Sequence, residues 1–454
     1  MNLRQNLFLH VCVTFLFIHK CFFLFHLSLW KSSAHDSFCL ELKACTESAP
    51  TRYAYAYVIW RVDSNDHTKY AKYLANILVA AKLFRKLGMR HDILLLVKMR
   101  EDAPNDQSGP NFLRPTNSSL KLKMNEEYDL KRLSVQVIYT NGLIGDHKNP
   151  YIGMMNKFVL WNLTQYQRIL FFDGDAIPLF NLDYLLELSD EGIFHPTVVM
   201  AGPNEPAQGG LFVLQPSLQA FEQLKEIIKN WNLWMFNTTS GWGHMFGDIS
   251  MLSKTQDTWE TTSEVGKDWT FYGAYADQGL LYYFSKYVQG KMTQILARKI
   301  VNFDFEPVFK TLNITRQWKV EKSEQGPFAR FVNRTRYPFV ANNCNRWTRN
   351  HCVPPYSDHA HFTMSDKPWS YAHNLNQVSF MMEKATSSNG SKIFFSDPTT
   401  VVEMWWQILF ELLYTDGINI SYYVPEANQY IDHNLLVADD LLPVDSVWRP
   451  WQSL

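Results

Sequence analysis

Two rhythms of apolar residues alternate along the chain. Residues 53–62, YAYAYVIWRV, are almost continuously apolar, the pattern of a strand covered on both faces. Next comes HTKYAKYLANILVAAKLFRKLG (67–88), with apolar positions three and four apart and Gly88 as a helix stop. HDILLLVK (91–98) reads as a second strand. A strand, a helix and a strand in immediate succession form a βαβ unit, so the pattern predicts an α/β fold whose sheet begins parallel and is covered by helices. Residues 101–125 read as loop, LSVQVIY (133–139) as a third strand, NKFVLWNLTQY (156–166) as a helix and RILFFD (168–173) as a fourth strand.

That fourth strand ends in LFFDGDAIPLF (170–180), which places Asp173 and Asp175 at the carboxyl end of a parallel strand. In open α/β sheets this is the edge where ligands bind. Two carboxylates one residue apart can hold Mg²⁺ or Mn²⁺ and leave positions open for phosphate oxygens. Asp-Gly-Asp is also a common turn, so the pair does not decide by itself.

Three further segments carry complementary chemistry. In AQGGLFVLQPS (207–217), Gln208 is followed by Gly209 and Gly210, which allow close backbone approach to a ligand or simply form a bulge. In YADQGLLYYF (275–284), Asp277 and Gln278 open a helix and either bind hydroxyl groups or cap that helix. In HAHFTMSDKPW (359–369), His361 offers an imidazole to a metal, and Lys367 offers a point charge to phosphate. Together these are the parts needed to ionise a nucleotide-sugar. The polar, glycine-punctuated stretch 237–273 reads as an excursion over such a site.

Composition narrows the classes. The chain has 454 residues, 46% of them hydrophobic, enough for one large decorated α/β domain or for two domains. Lys and Arg number 43 against 44 Asp and Glu, and no basic stripe interrupts the balance, which argues against a nucleic-acid partner. The 15 Trp, 22 Tyr and 31 Phe suit either a packed core or stacking on sugar and base faces.

The N-terminal region predicts a membrane route. Residues 7–30 are long and apolar enough for a span of about 20 residues. Lys20 interrupts them at a cost of about 3 kcal/mol, which the remaining apolar residues outweigh. No small-residue cleavage site follows Leu7–Ile18, so an uncleaved signal anchor is preferred to a cleaved signal peptide. Seven Asn-x-Ser/Thr triplets, at Asn117, Asn162, Asn237, Asn313, Asn333, Asn389 and Asn419, fit a glycosylated lumenal chain. Of six cysteines, Cys39/Cys45 and Cys344/Cys352 form close pairs that suit short-loop disulfides in an oxidising lumen, with zinc as the alternative. The expected organisation is a cytosolic tip and anchor (1–31), a stem (32–52), a catalytic domain (53–385) and a C-terminal extension packed on it (386–454). This corresponds to a single-pass type II protein of the Golgi or ER membrane.

In order and spacing, NKFVLWNLTQYQRILFFDGDAIPLFNLDYLLEL, QGGLFVLQPS, ADQGLLYYF and HFTMSDKPW resemble glycosyltransferase family 8, most closely its glycogenin branch, over about residues 53–375. The resemblance implies a GT-A fold, a Rossmann-like nucleotide-sugar-binding domain with a mostly parallel mixed sheet. It also implies Mn²⁺ (or Mg²⁺), a UDP-sugar donor and transfer with retention of anomeric configuration. By motif, Asp173, Asp175 and His361 resemble the metal ligands, and Lys367 the residue that meets the pyrophosphate. Lys157 matches a helix lysine near the donor, and Asp277 with Gln278 the pair on the sugar and acceptor side. Asn65 and Asp66 lie where the family binds uridine, and Tyr70 or Tyr73 would stack on the uracil.

Two departures stand out: Met364 replaces the family's glycine, and Gln208 its asparagine, which points to an altered substrate. Asp277 is either nucleophile or sugar-orienting group. The expected acceptor is a lumenal glycan, glycolipid or protein. The alternatives are a catalytically silent sugar- or nucleotide-binding protein on the same fold and a glycogenin-type self-glucosylating primer.

Overall fold

In the computed structural model the described residues are most of 53–242 and 269–296, with the segments 299–303, 310–312, 342–343, 359–362, 367–370, 382–387, 390–395 and 401–431. The chain divides into two units, Met1–Pro50 and Thr51–Leu454, and all described residues belong to the second. The apolar run 7–30, the pairs Cys39/Cys45 and Cys344/Cys352, Met364 and most of 237–273 lie outside them. Among the described residues no helix is long and apolar enough to cross a membrane.

Strand β1 (Tyr53–Val62) is an interior strand of the main sheet and is buried on both faces. Its sequence alternates large and small residues, and each set has its own core. Tyr53, Tyr55, Tyr57 and Ile59 pack in the layer containing helix α1 (Ala71–Lys86), while Ala54, Ala56 and Val58 pack in the opposite layer. Tyr55 stacks on Phe84 of α1 with ring centroids 4.6 Å apart. Helix α1 ends where Gly88 takes the left-handed conformation (φ +74°), which the sequence's stop signal predicts.

Strands β2 (Asp92–Met99) and β3 (Val135–Tyr139), joined through helix α2 (Met124–Arg132), extend the sheet in parallel on one side of β1. The chain then returns to lay β4 (Arg168–Phe172) parallel to β1 on its other side. The strand order therefore reverses between β1 and β4, and in such sheets ligands bind outside the carboxyl ends at that point. Further along are β5 (Ala176–Pro178), α3 (Asp183–Asp190), β6 (Thr197–Met200), β7 (Leu211–Leu214), α4 (Leu218–Asn230), α5 (Asp277–Tyr283), β8 (Met292–Leu296), β9 (Lys299–Phe303) and β10 (Lys310–Leu312). β6 to β10 complete a nine-stranded sheet ordered β10-β9-β8-β6-β7-β4-β1-β2-β3. β7 and β9 run against the other strands, so the sheet is mixed but mostly parallel.

A small second sheet carries part of the site. β11 (Asn342–Asn343) and β12 (His359–His361) pair with each other, and β12 pairs antiparallel with β5, opposing His361 to Ala176. A late helix, α6 (Val401–Asp416), packs on α1 and contributes Trp405, Trp406, Leu409 and Leu412 to the core around it.

Two sequence expectations change. The segment predicted as a regular helix over 156–166 is a run of 3-10 turns, Met154–Asn162, with Met155–Asn162 buried. Tertiary contacts shape it: Asn156 Oδ1 accepts the N–H groups of Leu143 and Ile144, and its Nδ2 donates to Gly153 O. The Asn162 triplet cannot carry a glycan in this fold, because the residue is only 6% exposed. Asn419 is exposed.

Candidate active site

The pairing of β4 with β7 sets the geometry. Phe172 opposes Leu211, and one residue on, the N–H of Asp173 donates to Gly210 O at 2.9 Å. Asp173, Gly174 and Asp175 then turn over the sheet edge into β5, where the β12 pairing delivers His361. His361 Nε2 lies 3.2 Å from Asp175 Oδ1 and 3.6 Å from Asp173 Oδ2. One ligand atom from each of the three residues lies within 4.8 Å of the others.

The two glycines are needed where they stand. A Cβ on Gly210 would come within 2.4 Å of the His361 ring, and one on Gly209 within 2.3 Å of Asp277 Oδ2. Side chains there would displace the His361 imidazole or the Asp277 carboxylate.

Lys157 is 1% exposed and ties the two halves of the site together. Its Nζ donates to Asp173 Oδ1 (2.8 Å), Asp277 Oδ2 (2.6 Å) and Gly209 O (2.8 Å). Burial alone would depress its pKa, but the carboxylates of Asp173 and Asp277 outweigh that and raise it, so it stays charged. The opposite balance holds at Asp173, where burial raises the pKa although Lys157 and His361 oppose it. At Asp175 the burial effect is overcome by His361 and Lys367, and the carboxyl group is held far below the usual range. The Lys367 ammonium donates to Asp175 Oδ2 and to Phe362 O. For His361, Asp175 outweighs burial and raises the imidazole.

The remaining predicted residues divide between the site and its surroundings. Gln278 Oε1 accepts the N–H of Gly209 at 3.2 Å, beside Asp277. Gln208 is buried, and its Oε1 has no hydrogen-bond partner among the described residues. Tyr73 lies next to Gly174, and its hydroxyl pKa is pushed up to about 12 by burial, then by Asp175 and Asp173. Tyr70 instead is buried and donates its hydroxyl hydrogen to Glu126 at 3.1 Å. Asn65 and Asp66 occupy the turn after β1. There Asn65 N donates to Asp63 Oδ1 (3.0 Å), and Asp66 accepts from Thr68 (2.6 Å) and pairs with Lys69 (2.9 Å).

Sequence reading missed Asn76. This residue of α1 is fully buried, and its amide donates to Gly174 O (3.0 Å) and Ala176 O (3.2 Å). The available signal was an asparagine in the apolar stretch LANILVAA.

A half-buried carboxylate–imidazole cluster beside two lysines, on a Rossmann-like sheet edge, has the donor set to hold a divalent cation. Comparison with known proteins specifies the class. No protein-family model matches the chain. It is 26% identical to mouse glycogenin-1 over 180 residues, covering 37% of this chain and 48% of that protein. It is also 36% identical over 74 residues to an Arabidopsis thaliana protein named for UDP-glucuronate:xylan alpha-glucuronosyltransferase activity, covering 16% of this chain and 11% of that one. The chain thus spans about half or less of the length of these curated relatives. Both are glycosyltransferases of family 8, so the chain is homologous to members of the family its motifs resemble. Among solved structures, the Streptococcus pneumoniae glycosyltransferase GlyE superposes on 84% of this chain and 64% of its own, at 12% identity and a TM-score of 0.33.

Proposed function

We propose that this chain is a metal-dependent glycosyltransferase that moves a hexosyl group from a UDP-sugar to a lumenal glycan, glycolipid or protein acceptor, with retention of anomeric configuration. One observation carries the reading: Asp173, Asp175 and His361 converge within 4.8 Å beside Lys367, at the carboxyl edge of the sheet. Two carboxylates and an imidazole suit Mn²⁺ better than Mg²⁺, which favours oxygen ligands alone. An ion held by those three side chains supplies Lewis-acid neutralisation of the departing diphosphate.

The chain's own groups divide the remaining work. Lys367 is the point charge for the pyrophosphate. Tyr73 offers its ring to the uracil, and Asn65 with Asp66 borders the uridine. Gly209 and Gly210 make room for the Asp277 carboxylate and the His361 ring to lie close against the backbone beside the donor. Asp277 and Gln278 take sugar hydroxyls, and Gln208 bears on which sugar is accepted. Asp277 Oδ2 is held by the Lys157 ammonium at 2.6 Å, an ion pair that lowers the nucleophilicity of the carboxylate. We therefore assign Asp277 an orienting role. The acceptor oxygen bonds to the anomeric carbon on the face the diphosphate leaves, the C–O bond to phosphate breaks, and the acceptor's proton passes to a phosphate oxygen. The apolar run 7–30 and the Asn-x-Ser/Thr triplets support an uncleaved signal anchor and a lumenal catalytic domain in the Golgi or ER.

The test is donor hydrolysis by the purified protein across a panel of UDP-sugars with Mn²⁺. Turnover of at least one donor, abolished by EDTA, is expected. No turnover of any donor, together with no calorimetric binding of UDP, would overturn the reading.

A further inference from the structure

We infer that α6, through Trp405 and Trp406, is a positioning device for the two loops that carry the metal and phosphate groups. The inference rests on the site reading given above but concerns α6, which lies beyond the stretch that resembles the family. Asn76 donates to the carbonyls of Gly174 and Ala176, the two residues flanking Asp175. Its own Oδ1 accepts the indole N–H of Trp405 at 2.9 Å. An indole nitrogen only donates, so this contact holds the amide oxygen toward Trp405 and the NH₂ toward the loop. A turned amide would face its oxygen to two carbonyl oxygens and its NH₂ to an N–H. The backbone on both sides of Asp175 is therefore held from α6, through one fully buried amide.

Trp406 acts on the other wall. Its indole N–H donates to Pro368 O at 3.1 Å, next to Lys367. The Trp369 ring completes the contact, 5.4 Å from Tyr73 and 6.1 Å from Trp405 between centroids. Both α6 tryptophans are fully buried. A core tryptophan needs some acceptor for its N–H. Here one acceptor holds the loop of Asp175, and the other lies in the turn bearing Lys367. Successive residues of a helix point about 100° apart, which lets a single turn of α6 address both walls. Trp405, Trp406 and Asn76 are thus positioning residues for the candidate ligands.

The test is calorimetric UDP binding by the full chain, titrated with Mn²⁺ well below the melting temperature. Trp405→Phe removes the N–H and keeps a ring, while Asn76→Asp keeps the acceptor and removes the donor. Each should raise the Mn²⁺ concentration for half-maximal UDP binding about tenfold or more, the usual effect of losing a ligand's outer support. Trp406→Phe should weaken UDP binding at saturating Mn²⁺ and leave the Mn²⁺ midpoint within about twofold. Leu412→Ala, a fully buried control on the same helix, should lower the melting temperature and move neither quantity. If Asn76→Asp does not fold, Trp405→Phe decides. Wild-type binding combined with an unmoved midpoint in Trp405→Phe, or an equal shift in Leu412→Ala, overturns this inference alone. Failure of the wild-type chain to bind UDP with Mn²⁺ overturns the site reading and this inference together.

Discussion

Asp175 meets His361 and Lys367 at once, and both hold its carboxyl group ionised. Asp175→Asn keeps the shape but removes the charge that either a cation or these two groups require. Mn²⁺-dependent UDP affinity should fall at least about 100-fold, roughly 2.7 kcal/mol. Calorimetry reads the loss, and a melting temperature within a few degrees of wild type would show that the fold survives. The two aspartates could be read from sequence because a strand end followed by Asp-Gly-Asp is a local pattern. The choice between Tyr70 and Tyr73 could not. Three residues apart at the start of one helix, they differ in what their side chains meet: the Tyr70 hydroxyl bonds Glu126, whereas the Tyr73 ring lies against Gly174 and Trp369.

Among the elements, the contact of α6 with α1 joins charge to apolar packing. Glu411 lies 2.8 Å from Lys86 and 3.5 Å from Lys82, and Lys82 also reaches Asp416 at 2.8 Å. These side chains are 8–22% exposed, between a surface pair and a buried one. Exposed pairs contribute up to about 1 kcal/mol, whereas breaking a buried pair costs about 3–5. Glu411→Gln should therefore lower stability by about 1–2 kcal/mol, read as a lower urea midpoint with an unchanged slope. The α1 pattern was legible because its apolar spacing and Gly88 are local signals. Burial almost all the way round α1 was not, since it depends on a helix more than 300 positions later in the chain.

For the whole molecule, the lumenal assignment predicts glycans only where the folded surface admits them. Glycosidase treatment of protein expressed in a secretory host should increase its gel mobility. Asn419→Gln should remove one step of that shift and Asn162→Gln none, since Asn419 is exposed and Asn162 is buried. An unglycosylated product would contradict the lumenal assignment. By itself the sequence determined the βαβ start of the sheet, the carboxylate pair at a strand end, the glycines at the head of β7 and the helix opened by Asp277. Each of these follows from periodicity or turn chemistry within single elements or consecutive ones. Tertiary structure alone decided that β12 pairs with β5 and so brings His361 to Asp175 from 186 positions away. It alone decided that Lys157 bridges Asp173 and Asp277, and that Asn76 meets Trp405. Such contacts depend on strand order and on which polar groups find partners when buried, and no local window of sequence contains both ends of either constraint.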